Sequence, residues 1–336
     1  MQIDIWGSYA QVEIDREDME DVMVSVIVCT FQQEQTIAQT LESILAQKTE
    51  YPFEIIIGED WGTDNTREIC KLYEKNYDNV SLLEQTENLG ITANYVHCIK
   101  HARGKYIMGC AGDDYWHNPN KIQLQVDFME AHPECVMCHT DVDILYTFDN
   151  TILKNAKKSA GIILPEGRIQ YEILQGKDNI SAVTICYRRS IYEEHVPADE
   201  FARRRFPRED WPIILVLAAY GDVLYIPVST ATYRVGQESI TRTSDYDKII
   251  KRAQQDMVMT QYLYTLFPEW GPFKDEPYFA SIGYHGALRA AYRNNDYTKA
   301  HEFAKKDNIP SWLTRMTCTK PTFMLFRWIQ IKRKRL

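Results

Sequence analysis

Between residues 24 and 146 short β-rich runs alternate with segments of helical period, which confines the chain to an open α/β sheet with crossover helices. Residues 24–29, 53–57, 80–83 and 105–110 read as strands. Ile37, Leu41, Ile44 and Leu45 fall at i, i+4, i+7 and i+8, predicting an amphipathic helix over 34–47. Further helices are expected over 66–77 with Thr63 or Asp64 as cap, from the Asn88-Leu89-Gly90 turn to about Ala102, and from Pro119 to Ala131. The loops that begin at Thr30, at Glu59-Asp60 and at Ala111 all leave the carboxyl ends of strands, where such sheets bind their ligands.

Past residue 147 the alternation weakens. A helix is expected over 167–175, a strand over 182–187, an apolar helix over 211–220 and a strand over 223–233. From residue 245 on only helical period remains, over 247–266, 278–293 and 298–306. With 45% hydrophobic and 25% charged residues the chain can bury a core, and it is neither disordered nor low-complexity. A net charge of −9 argues against nucleic acid as a partner. Residues 308–336 nevertheless carry seven bases (Arg315, Lys320, Arg327, Lys332, Arg333, Lys334, Arg335) and no acid. Interleaved with Phe323, Phe326, Trp328 and Ile331, they suit an anionic membrane surface, or else the apolar members pack on the body.

The first 21 residues hold seven acids against one Arg and do not read as an export signal, and no apolar run is long enough to span a bilayer. The expectation is a cytoplasmic protein with reduced thiols. Cys135-Val136-Met137-Cys138-His139 spells the haem-attachment pattern C-x-x-C-H, but residues 135–138 read as a buried strand after a helix. No G-x-G-x-x-G or G-x-x-x-x-G-K-[ST] loop is present to cradle phosphates. A divalent cation held by carboxylates is the alternative, and Gly112-Asp113-Asp114-Tyr115-Trp116 offers two adjacent acids after a strand, although such pairs also serve in turns.

Four motifs in order combine these observations: 24–31 (VSVIVCTF), 53–66 (FEIIIGEDWGTDNT), 87–90 (ENLG) and 104–116 (GKYIMGCAGDDYW). Together they closely resemble the family-2 glycosyltransferases of the GT-A fold, strongly over 22–146 and loosely over 147–240. The resemblance implies an α/β fold, a Rossmann-like mixed sheet flanked by helices, over 22–240. Its nucleotide-binding half would be 22–146 and its acceptor half 147–240, followed by a helical subdomain (241–320) and a basic, apolar tail (321–336).

Residue by residue, the resemblance implies that Thr30 and Phe31 grip the nucleotide, Phe31 stacking on the base or else packing in the core. Asp60 would read the base, while Glu59 is expected in solvent. The family's D-x-D falls on Ala111-Gly112-Asp113, so Asp113 and Asp114 would hold Mg²⁺ or Mn²⁺ although the first acid is missing. Glu209-Asp210-Trp211 resembles the E-D motif. Asp210 would be the general base, or simply a helix cap, with Glu209, Trp211 and Trp116 toward the acceptor and Trp211 alternatively in the core. Arg234 would pair with the diphosphate, in a segment where some relatives carry a His at the place of Gly236.

The implied reaction is inverting transfer of a sugar from a nucleotide-diphospho-sugar, UDP favoured, to a hydroxyl of a glycan or polyprenyl-linked acceptor at the cytoplasmic face of a membrane. Two rivals remain. Ala111 and Gly236 suggest a non-catalytic nucleotide-sugar-binding relative. A sugar nucleotidyltransferase would want a Gly-rich basic loop where this chain has Cys29-Thr30-Phe31-Gln32-Gln33-Glu34.

Overall fold

The computed structural model describes residues 22–174, 179–236, 243–273, 276–307 and 312–332. The acidic stretch 1–21, the expected helix end at Gln175 and the bases Arg333, Lys334 and Arg335 lie outside the described residues.

The first half follows the expected order: β1 (Val24–Thr30), α1 (Ile37–Leu45), β2 (Phe53–Glu59), α2 (Thr66–Asn76), β3 (Val80–Leu82), α3 (Ile91–His101), β4 (Tyr106–Gly109) and α4 (Lys121–Ala131). β1 pairs in parallel with β2 and β4, and β2 with β3. Because strand side chains alternate, β1 feeds both faces: Val24, Val26 and Val28 pack with α1 and α4, while Ile27 packs with Tyr95, Cys98 and Ile99 of α3. Helix α1 starts at Ile37 rather than near residue 34, since the Gln33 and Glu34 amides donate instead to Thr66 Oγ1 (2.8 Å) and Asp64 Oδ2 (3.1 Å). Helix α4 starts at Lys121, two residues after Pro119.

The second half contains β5 (Cys135–Tyr146), β6 (Thr151–Leu153), α5 (Ala156–Ser159), α6 (Gln170–Leu174), β7 (Cys186–Arg188), α7 (Arg189–His195), α8 (Ala198–Arg203), α9 (Asp210–Tyr220) and β8 (Asp222–Val235). The sheet order is β3-β2-β1-β4-β7-β5-β6, with β8 alongside β5. β7 runs antiparallel between β4 and β5, which makes the sheet mixed. Residues 182–184, expected as strand, form a 3₁₀ turn. Helix α9 is apolar on every side from Pro212 to Ala218 because that stretch is buried in the core. In β5 the Cys138 side chain packs on the α4 face, while the His139 ring stacks 5.2 Å from Tyr225, so strand alternation divides the C-x-x-C-H residues.

Helices alone follow: α10 (Tyr246–Leu266), α11 (Glu276–Arg293), α12 (Tyr297–Lys306), α13 (Trp312–Met316) and α14 (Lys320–Lys332). Asp245 caps α10 by accepting from the Asp247 and Lys248 amides. α10 bridges two cores. Met259 and Leu263 join the α9 side of the sheet, while Tyr246, Ile249 and Ile250 pack with Leu288 and Phe303. Among the described residues no helix is long and apolar enough to cross a membrane.

Candidate active site

The loop after β4 is stitched in place from three directions. Gly112 lies against the end of β1, where a Cβ would sit 2.4 Å from Gln33 Oε1 and 2.5 Å from Thr30 Oγ1. The Thr36 and Thr40 hydroxyls donate to the Gly112 carbonyl at 2.8 and 3.0 Å, and Thr40 also reaches the Asp114 carbonyl at 2.6 Å. On the other side Tyr115 and Thr232 exchange backbone hydrogen bonds, tying the loop to β8.

This frame gives the two acids different surroundings. Asp114 is buried, and its Oδ1 accepts from the Arg234 amide at 2.9 Å. Burial and the neighbouring Asp113 hold its carboxyl well above the usual range. Asp113 is more open, with Gln33 donating to its carboxylate, and burial raises its pKa too. The Arg234 guanidinium donates to the Asp113 carbonyl and to Gln39 Oε1 and lies 4.8 Å from the centre of the Tyr115 ring. Trp116, expected toward the acceptor, is only 3% exposed and packs in the α4-side core, where no sugar reaches it.

At the ends of β1 and β2 the Asp60 amide donates to the Thr30 carbonyl at 2.9 Å. The Asp60 carboxylate accepts from the Leu89 amide (Oδ1, 2.7 Å) and the Gly90 amide (Oδ2, 3.0 Å), and Asn88 Nδ2 donates to the Asp60 carbonyl at 2.8 Å. Asp60 therefore organises the Asn88-Leu89-Gly90 turn, in which Gly90 adopts a φ of 82°. Burial raises its pKa against the two amides that lower it. Glu59, expected in solvent, is fully buried: its carboxylate accepts from the Gly62 amide at 2.7 Å and faces Arg67 at 3.3 Å. The buried Thr30 hydroxyl donates to Gln33 Oε1 at 2.7 Å, whereas Phe31 is 45% exposed and not part of the core.

Glu209 and Asp210 open α9. Asp210 Oδ1 accepts from the Trp211 amide at 2.7 Å, and Trp211 Nε1 donates to the Ile173 carbonyl at 3.3 Å with its ring partly in the core. Burial first, then the charge of Asp210, pushes Glu209 up to about 8, against Arg208 and Arg252. Both Glu209 and Asp60 bear electrostatically on Cys29, near the end of β1, and push its thiol up. Sequence reasoning missed Gln33, which joins Thr30 to Asp113, and Arg208 and Arg252. Charged residues in a core-facing helical stripe were the signal for Arg252.

Fold and site together define an α/β protein of the GT-A type. A mannosyltransferase from Pyrobaculum calidifontis, solved with GDP-Man and Mn²⁺, superposes with a TM-score of 0.52 at 15% identity, covering 91% of this chain and 86% of that one. The family described as Glycosyl transferase family 2 matches residues 25–196, and the chain belongs to it. An uncharacterized protein of Mycobacterium tuberculosis is 30% identical over 228 residues, 67% of this chain, and the match spans 62% of that relative's length. The UDP-Glc:alpha-D-GlcNAc-diphosphoundecaprenol beta-1,3-glucosyltransferase WfgD of Escherichia coli is 25% identical over 236 residues, 70% of this chain and 85% of that one.

Proposed function

We propose that this chain is an inverting glycosyltransferase that moves a sugar from a UDP-sugar to a hydroxyl of a glycan or lipid-linked acceptor. The observation that carries the reading is the convergence of three strand-end loops at the end of β1, where Cys29 also feels the charge of Glu209. WfgD's printed donor and diphosphoundecaprenol acceptor support the substrate classes.

Asp210 takes the acceptor proton, through the carboxylate oxygen that does not hold the Trp211 amide. Asp210 lies at the N-terminus of α9. Phe31 stacks on the base, Thr30 shapes the base pocket, and Asp60 reads the base while holding the Asn88–Gly90 turn. Arg234 stands beside Asp113 on the diphosphate side.

The fold family implies a divalent cation. Among the described residues no group of three or more His, Cys, Asp or Glu side chains forms a metal cage. An accessible Asp113 beside a second acid fits Mg²⁺ or Mn²⁺, which bind through one or two carboxylates and complete their shell with phosphate oxygens and water. Asp113, with Asp114 adjacent, would hold it, and when bound it offsets charge on the leaving diphosphate. For the domains, 22–240 is the transferase unit and 241–320 a helical support, with 321–336 as its membrane-facing end at the cytoplasmic leaflet.

Asp210→Asn is expected to abolish sugar transfer while calorimetry still detects UDP binding. Turnover at the wild-type rate in that variant would sink the assignment. The non-catalytic reading is favoured by Ala111 and Gly236 and predicts nucleotide-diphosphate binding without turnover over a panel of donors and lipid-linked acceptors.

A further inference from the structure

Charged groups gather where α10 passes the Glu209–Asp210 pair. On α10, Arg252 and Asp256 continue, at helical spacing, the stripe that Met259 and Leu263 bury in the core, so a core-facing surface turns polar beside the start of α9. Arg208 Nη2 donates to Asp256 Oδ2 at 2.9 Å, and Asp256 is 17% exposed. Arg208 Nε and Asp256 Oδ1 are buried without a hydrogen-bond partner, so the pair is held by a single bond. Arg208, whose guanidinium Asp256 holds, directly precedes Glu209 in the chain.

We propose that Asp256 is a positioning residue for the Glu209–Asp210 pair, acting through Arg208. The inference rests on Asp210 as the base but concerns a residue outside the cleft. The groups bearing on Glu209 are Asp210, Arg208 and Arg252, with Cys29 of β1 and Tyr95 of α3 feeling its charge from the sheet side. Arg252 in turn feels the charges of Arg208, Asp256, Asp210 and Tyr233. Arg208 favours the ionised form of Glu209, and Asp256 offsets part of that cation. Removing the Asp256 charge therefore makes Glu209 easier to ionise, and removing the Arg208 charge makes it harder.

The test follows the Glu209 side-chain carboxyl by ¹³C NMR in the full chain, assigned through its absence in Glu209→Gln. Asp256→Asn is expected to lower the midpoint by about one pH unit and Arg208→Gln to raise it by about as much, on the order of what one neighbouring charge does to a carboxyl. Asp256→Glu keeps the charge and is expected to titrate as wild type. The pH profile of kcat/KM should move with each midpoint. Unchanged midpoints in both charge-removing variants, or a shift in Asp256→Glu equal to that in Asp256→Asn, would reduce the ion pair to a packing tie and overturn the proposal. Because NMR needs no turnover, a chain inactive toward every donor would count against Asp210 as base while this measurement still decides the role of Asp256.

Discussion

Glu209 is the residue whose surroundings say most about how the cleft works. Two adjacent carboxyl groups at one helix start repel, and burial makes Glu209 the one that keeps its proton to about pH 8. An unfolded Glu ionises near 4.5, so between 4.5 and 8 the folded chain binds the extra proton and stability falls as pH rises through that window. Glu209→Gln, which mimics the protonated acid, is expected to melt above the wild type at pH 8 and beyond, with the difference shrinking toward pH 4.5. Thermal unfolding at several pH values measures it, and a pH-independent difference would contradict the assignment. None of this is legible in the sequence, where Glu209-Asp210 shows only two acids before an apolar run. The positions of Asp60 and Asp113 were legible because strand-end loops place them. Their partners were not, since Asp60 bonds across 29 and 30 residues to the Leu89 and Gly90 amides. Trp116 misled because a loop motif does not tell which of its aromatic rings turns inward.

Among the elements, the loop between β4 and α4 depends on α1. The Thr40 hydroxyl contacts two of its carbonyls and is wholly buried. Thr40→Val keeps the shape and leaves the Asp114 carbonyl without this donor, at a cost of about 1–3 kcal/mol. If part of that cost falls on the bound arrangement of Asp113, affinity for a nucleoside diphosphate drops roughly tenfold for each ~1.4 kcal/mol, which calorimetry reads directly. Unaltered affinity would show that α1 does not set the loop. β1, β2 and β4 were readable because each is a short, mainly apolar run buried on both faces. β5 was cut short because His139, Thr140, Asp141 and Asp143 break its apolar pattern although all four are buried. The structure satisfies the last three through distant partners: Thr140 bonds Thr230 Oγ1 (2.7 Å), Asp141 accepts from the Lys157 and Lys158 amides, and Asp143 accepts from Ser229 Oγ (2.6 Å). Such pairings across 16 to 90 residues leave no local periodicity to read.

For the molecule as a whole, the helical C-terminal region ties the cleft to the basic end of the chain. α14 docks by Phe323, fully buried against Tyr292 at 4.4 Å between ring centres, and by Arg327 Nε donating to the Tyr292 carbonyl at 2.8 Å. The helix thus takes the packing alternative posed by the sequence through Phe323, and the membrane alternative falls to its outer side. One side packs on the body, while Met324, Leu325 (60% exposed) and Trp328 (55% exposed) form an outward stripe one turn after the exposed base Lys320 on the same helix. Apolar side chains edged by cations match an anionic lipid surface, each base adding about 1 kcal/mol and each half-exposed apolar chain roughly as much on insertion. Deleting 321–336 would not test this, because it removes Phe323 from the core together with the stripe. Replacing Met324, Leu325 and Trp328 by Ser leaves the docked side intact, and sedimentation with phosphatidylglycerol-containing vesicles should then fall by at least about tenfold. Phe323→Ala should instead destabilise the fold by about 3–5 kcal/mol. If the triple variant sediments as the wild type does, the stripe is no membrane contact, and the basic end of the chain acts, if at all, through charge alone.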